Sequence, residues 1–277
     1  MSSSQAGLLP FGKPPIGWNW RGMRRRAARW RKRLRRVWRR FTALPRSLRI
    51  GLVAALFLAA FSAVNFVDHI VHKPTELFFP IDGKLAKSPA AAWQDYGDLF
   101  RHYSTKDISP ELLAALAEVE SNGDPVARTY WRWRFSLNPF GIYGPASSSV
   151  GMYQMTDGAF AEARHYCIAD HAVTGDCWFT GLYTRVLPRD AIELAAVYLD
   201  RKVAEIRAAE PRLAASPRQL QDLAAIVQLC GAAPAEKFAR RHFRVLPGER
   251  CGDTLAAAYL ARVDALARQF QKLAAAP

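Results

Sequence analysis

Residues 110–125 read PELLAALAEVESNGDP, and within them Leu113, Leu116 and Ala117 lead in steps of three and four to Glu120. That period belongs to a helix with one inward face, so a carboxyl group falls on the stripe that should be apolar. Ser109 as N-cap, Pro110 at the first helical position and Gly123 past the end predict where the helix starts and stops. Glu111 and Glu118 fall on the other flank, where solvated carboxylates belong. Glu120 is different: on an apolar stripe, in a last turn where the helix dipole disfavours negative charge, it should be harder to ionise than a free glutamate. Those are the conditions for a general acid near neutral pH. A buried Glu paired with an Arg explains this stretch equally well when it is taken alone.

Outward from this helix the same boundary signals recur. Ser88-Pro89 opens a helix to about His102, Thr156-Asp157 one to about Ile168, and the residues from Pro188 to Asp190 one to about Ala209. Ser216-Pro217 opens another to Cys230, and Gly252-Asp253 a last one to about Ala274. Runs of alternating β-branched residues are absent, so the expected class is all-α. Cys167, Cys177, Cys230 and Cys251 form an even set with three connectivities. Pairing neighbours joins Cys167 to Cys177 and Cys230 to Cys251, the second bond tying the fifth helix to the last. A zinc site from His165, Cys167, His171 and Cys177 matches no closed tetrahedral spacing.

Charge is segregated. Fifteen of the 39 Lys and Arg residues lie from Lys13 to Arg49, ahead of the first acidic residue, Asp68, so beyond it basic and acidic groups balance at 24 each. The net charge of +15 therefore belongs to the N-terminal tail. A globular part without net charge lacks the basic footprint that phosphate backbones require, and no nucleic acid is expected as a partner. Eighteen residues from Ile50 to Val67, IGLVAALFLAAFSAVNFV, carry no formal charge, close to the roughly 20 that cross a bilayer as a helix. Arg-rich sequence leads directly into them, as the positive-inside rule expects. Ala60-Phe61-Ser62 also offers a small-x-small cleavage site, but the tail is far longer than an ordinary signal-peptide n-region, which favours an uncleaved signal anchor. Within the tail, Met23, Ala27, Trp30, Leu34, Val37 and Phe41 form an aromatic-bearing stripe among basic residues. Such a helix either lies in the anionic headgroup layer or fixes topology.

Two segments together resemble a known family. AEVESNGDPVA (residues 117–127) followed by SSSVGMYQMTDGAF (147–160) is similar to lytic transglycosylases of the soluble-lytic-transglycosylase type, relatives of goose-type lysozyme. In that family a Glu-Ser pair ends the first core helix and a Gly-x-x-Gln segment with a following Thr walls the cleft. The likeness extends from about Ala90 to the C-terminus: ELAAVYLDRKV around Tyr198 looks like the family's Tyr-Leu helix, and CGDTLAAAYLARV from Cys251 like its closing helix. The resemblance implies a lysozyme-like helical domain and makes Glu120 the acid that cleaves the bond between N-acetylmuramic acid and N-acetylglucosamine. The muramoyl 6-hydroxyl then replaces water, giving a 1,6-anhydromuramoyl end, so no second carboxylate, metal or cofactor is implied. Ser121 would orient Glu120 or the substrate, and Gly151, Met152, Tyr153, Gln154 and Tyr198 would form the substrate-binding set.

The chain also departs from the pattern. Where the family shows Ala-Tyr-Asn-x-Gly, this sequence has Val227-Gln228-Leu229-Cys230-Gly231, leaving Gln228 as the polar contact. Between the two motifs it inserts RTYWRWRFSLNPFGIYGPASSS. Trp131, Trp133, Phe135, Phe140 and Tyr143 in this insert either cover sugar faces, with Arg128, Arg132 and Arg134 meeting peptide-stem carboxylates, or pack on one another. Asp157 reads either as the cap of the third helix or as a second carboxylate that would permit hydrolysis by water.

The expected organisation is a basic cytoplasmic tail (residues 1–49), a single transmembrane signal anchor (50–71), a linker (72–89) and a periplasmic domain (90–277) at a bacterial inner membrane. The expected partners are peptidoglycan glycan strands and, for the tail, anionic inner-membrane lipids. Enzymes so anchored also serve envelope-spanning secretion or conjugation assemblies. The alternatives are a muramidase-type hydrolase and a weakly active glycan-binding component of such an assembly.

Overall fold

The structure, a computed structural model, describes residues 35–276 apart from 37, 40, 73, 82, 134, 138–141, 179, 212 and 213. Among these the helices include α1 (Arg46–His72), α2 (Pro89–Tyr103), α3 (Pro110–Ser121), α4 (Asp157–Ala163), α5 (Pro188–Ala209), α6 (Pro217–Cys230), α7 (Ala232–Arg240) and α8 (Ala256–Ala275). Three two-stranded antiparallel hairpins accompany them: β1–β2 (Trp131–Trp133, Tyr143–Pro145), β3–β4 (Cys167–Ala169, Ala172–Thr174) and β5–β6 (Arg250–Cys251, Thr254–Leu255). The fold is thus mostly helical, as expected, with short strands that the sequence did not announce.

The chain divides into two compact units, residues 1–64 and 65–277. In the first, α1 exposes Leu52, Val53, Leu56, Phe57 and Leu58. The stretch Arg46–Ile70 is long and apolar enough to cross a membrane. The stripe from Met23 to Phe41 lies largely outside the described residues.

In the second unit α3 is central. Leu112 to Ala117 are all buried, so this helix is apolar on every side and packs against α2, α5 and α8. Ser109 Oγ accepts the Leu112 amide at 3.1 Å, and Asn122, left-handed at φ 51°, ends the helix. Glu118 does not lie in solvent: it is buried, which pushes its carboxyl above the ordinary glutamate range. The expected two-sided pattern fails because α2 and α8 pack on this helix as well as α5.

Helix ends differ from expectation where cross-links intervene. Helix α4 stops at Ala163, short of Ile168, because residues 167–174 turn back as a hairpin through left-handed Asp170 and His171. The disulfide Cys167–Cys177 clasps it, and Cys230–Cys251 joins the end of α6 to β5. Both cysteines of the zinc alternative are thereby consumed. Helix α8 starts at Ala256 rather than Asp253 because β5–β6 occupies the intervening residues. Helix α7 has no counterpart in the sequence reading; Pro234 falls in its first turn, where proline is tolerated. The segment read as a linker is also structured: residues Pro74–Ile81 form a 3-10 helix whose buried Glu76 pairs with Arg128 and accepts from Trp131 Nε1 at 3.0 Å.

Candidate functional site

Glu120 occupies the last turn of α3 and is partly exposed. Its Oε1 accepts the Tyr259 hydroxyl at 2.6 Å, from a tyrosine buried at the start of α8. Burial pushes the Glu120 carboxyl above its ordinary range, while the Tyr259 hydroxyl, the Gln228 amide and the charge of Arg262 favour the ionised form. Tyr259 is pushed far upward by burial and by the carboxylate beside it, so it stays a neutral donor. Among the described residues no ion pair joins Glu120 to a cation. The result is a carboxyl with a raised proton affinity, oriented by a neutral hydroxyl, on a residue that stays partly exposed.

The turn Gly151-Met152-Tyr153-Gln154 is fastened beside it, carbonyl by carbonyl. Ser121 Oγ donates to Met152 O at 2.8 Å, and Gln228 Nε2 donates to Tyr153 O at 2.8 Å. Gln154 Nε2 reaches Gly151 O at 3.0 Å and Ala127 O at 3.1 Å. Tyr153 is wholly inside, with its hydroxyl on Leu113 O at 3.1 Å. Gly151, at φ 80°, lies so close to the Arg185 carbonyl that a Cβ would approach its oxygen to 2.1 Å. Only glycine fits both the backbone region and the space.

The sequence-predicted residues thus divide into two groups. Glu120, Ser121, Gly151, Met152, Tyr153, Gln154 and Gln228 are brought together. The side chains of Met152 and Tyr153 are buried, however, so any contact of theirs with a ligand is restricted to backbone, contrary to the expectation that these residues line a cleft. Ser121 is committed to Met152 O and Ala117 O, which makes it a brace between helix and turn. Tyr198 stands elsewhere, on α5, with Lys202 over its ring and Glu162 nearby. Asp157 is not the cap of α4: Thr156 Oγ1 accepts the Ala159 amide, while exposed Asp157 pairs with Arg185 at 2.7 Å.

Tyr259 is the member of the site to which sequence reasoning assigned no role. Its signal was a tyrosine on the apolar stripe of the last helix, in step with Ala256 and Val263, where a polar tip needs a partner. In the insert, Trp131 and Trp133 flank Tyr143 with ring centroids 5.2 and 4.6 Å away, while Phe140 and Arg134 lie outside the described residues. Among the described residues no cluster of three His, Cys, Asp or Glu is placed to hold a metal ion. The chain matches no family model, no curated protein and no solved structure.

Proposed function

We propose that this protein is a membrane-anchored lytic transglycosylase that cleaves the β-1,4 bond between N-acetylmuramic acid and N-acetylglucosamine in peptidoglycan. The observation that carries the proposal is the pairing of Glu120 with Tyr259: a carboxyl of raised proton affinity, positioned by a hydroxyl, on a partly exposed residue. Support also comes from the resemblance of residues 117–127 and 147–160 to that family, whose two motifs lie side by side through Ser121 and Met152.

Protonated Glu120 donates to the glycosidic oxygen as the bond from C1 breaks. The resulting carboxylate, steadied by Tyr259 and Gln228, takes the proton of the muramoyl 6-hydroxyl as that oxygen attacks C1. The proton count returns to its starting value and a 1,6-anhydro ring closes without water. Backbone groups of the turn from Gly151 and the side chains of Gln154 and Gln228 hold the sugars beside the scissile bond.

The Arg-rich tail ahead of α1, together with two disulfides after it, supports a cytoplasmic N-terminus and a lysozyme-like domain in an oxidising periplasm. Peptidoglycan is then within reach, and the basic tail meets anionic inner-leaflet lipid. An enzyme held there is suited to opening the wall for an envelope-spanning secretion or conjugation assembly.

Digestion of purified sacculi followed by mass spectrometry of the released fragments tests the proposal. Anhydromuramoyl ends are expected, and Glu120→Gln should lower their release by about 10²–10⁴-fold. Reducing ends would instead identify a muramidase, and no release from the folded protein a glycan-binding part. A Glu120→Gln variant as active as the parent would overturn the assignment of the acid.

A further inference from the structure

Hairpin β1–β2 carries apolar surface that the glycan reading does not use. In the loop joining its strands Phe135 and Leu137 are 112% and 106% exposed, as in an extended chain, and Trp133 is 75% exposed. Leu77, next to the Glu76 that Trp131 and Arg128 hold, is exposed as well. Apolar side chains gathered on one element at such exposure call for an occupant.

The place where the hairpin is fastened indicates which occupant. Asn65 Nδ2 donates to Tyr143 O at 3.0 Å, and His69 Nε2 lies 3.2 Å from the same oxygen. The Trp131 ring meets His69 edge-on at 5.0 Å and leans on Phe66 at 6.3 Å. Asn65 is only 5% exposed, although it belongs to the uncharged stretch that ends at Val67. Its amide nitrogen is taken up by the Tyr143 carbonyl of the hairpin and not left to solvent. Asn65 precedes Asp68, the first charge, by three residues, or ~4.5 Å along a helix axis. The hairpin is therefore fixed at the level where an apolar span emerges among headgroups. Trp and Tyr are the side chains that collect at that level, and Arg132, exposed between two tryptophans, supplies a cation for lipid phosphate.

We infer that hairpin β1–β2 is a membrane-interface element, with Trp133, Phe135 and Leu137 in contact with the phospholipid of the leaflet from which α1 emerges. The occupant of the patch is the bilayer itself. The inference rests on the reading of α1 as a membrane span.

The test uses the full chain in vesicles of phosphatidylethanolamine and phosphatidylglycerol, with a fraction of the lipid spin-labelled near the headgroup in one preparation and at the middle of the acyl chain in a second. Because the native cysteines are paired in two disulfides, a single added cysteine takes a fluorophore. The sites are Leu56→Cys in the span, Trp133→Cys and Leu137→Cys in the hairpin, and Leu182→Cys as an exposed site outside it. Headgroup labels should quench 133 and 137 to within about a factor of two of the quenching of 56 by mid-chain labels, with 182 unaffected by either. Quenching at 56 without quenching at 133 and 137 overturns the inference and leaves the anchor standing. Absence of quenching at 56 overturns the anchor and the inference with it. A label at 133 that answers to soluble glycan fragments but not to lipid overturns the inference in favour of a sugar-binding hairpin.

Discussion

The hydroxyl of Tyr259 donates to Glu120 Oε1 at 2.6 Å, so the first turn of α8 holds the carboxyl that ends α3. Burial raises the proton affinity of Glu120 and this hydrogen bond opposes the rise. Tyr259→Phe removes the opposition, and the folded-state value moves further up. A general acid loses activity as pH rises through its own pKa, so the alkaline limb of kcat/KM should shift to higher pH. We expect activity to fall about tenfold, well short of the loss expected for removing the acid itself. A pH–rate profile checks this: a residue that merely packs would lower the rate with the limb unmoved.

Gly151 predicts a steric failure that activity assays alone would misread. In Gly151→Ala the new Cβ meets the Arg185 carbonyl oxygen at 2.1 Å, on a backbone held at φ 80°. The left-handed backbone costs about 1–3 kcal/mol for a non-glycine residue, and the clash adds to it. For a domain of this size each kcal/mol lowers Tm by about 2–4 °C. Thermal denaturation should therefore show a drop of several degrees along with the loss of turnover. A variant with unchanged Tm would mean that the turn can yield where the structure makes it rigid.

How far these features were legible in the sequence depends on what wrote them there. Ser88, Ser109 and Ser216 with their following prolines mark helix starts because capping is a local hydrogen bond, and each proves to be an N-cap. The position of Glu120 followed from helical period. Its partner did not: Tyr259 is 139 residues away, and only the packing of α8 on α3 brings it there. Glu118 misled for the same reason, since a flank that period assigns to solvent was covered by helices from elsewhere in the chain. The hairpins escaped because strands of two or three residues are too short to show alternation, and the turns of β3–β4 and β5–β6 depend on left-handed Asp170, His171 and Gly252.

Asp157 separates two chemistries. As a second catalytic carboxylate it would be indispensable to water-driven hydrolysis. In the structure it is 69% exposed and paired with Arg185, whose guanidinium also holds Ser148 O at 3.1 Å and Met155 O at 2.8 Å. Asp157→Asn should leave anhydro-product release within about twofold of the parent, because an exposed ion pair contributes no more than about 1 kcal/mol. Arg185→Ala should be the more damaging change, since it frees two carbonyls that frame the turn at Gly151. Product analysis on both variants decides: a large loss with Asp157→Asn alone would reinstate the hydrolytic route.

Cys230–Cys251 should matter to the site more than Cys167–Cys177 does. Cys230 lies two residues beyond Gln228, and Cys251 ends the first strand of the hairpin that leads to Tyr259 on α8. Tyr259, the donor to Glu120, and Gln228, whose amide favours the ionised form of Glu120, therefore stand on either side of one covalent bond. Replacing both cysteines by serine removes a constraint across a separation of 21 residues, which chain entropy puts at about 3 kcal/mol. The bond across 10 residues at Cys167–Cys177 is of similar size by the same measure, so the two double variants should melt at comparable temperatures. Activity should not follow melting equally. Without Cys230–Cys251, turnover should fade below the melting transition as Gln228 and Tyr259 lose register; without Cys167–Cys177 it should persist until the fold opens. Parallel measurement of thermal inactivation and circular dichroism distinguishes the cases, and inactivation that tracks unfolding in both variants would mean that the disulfide braces the fold and not the acid.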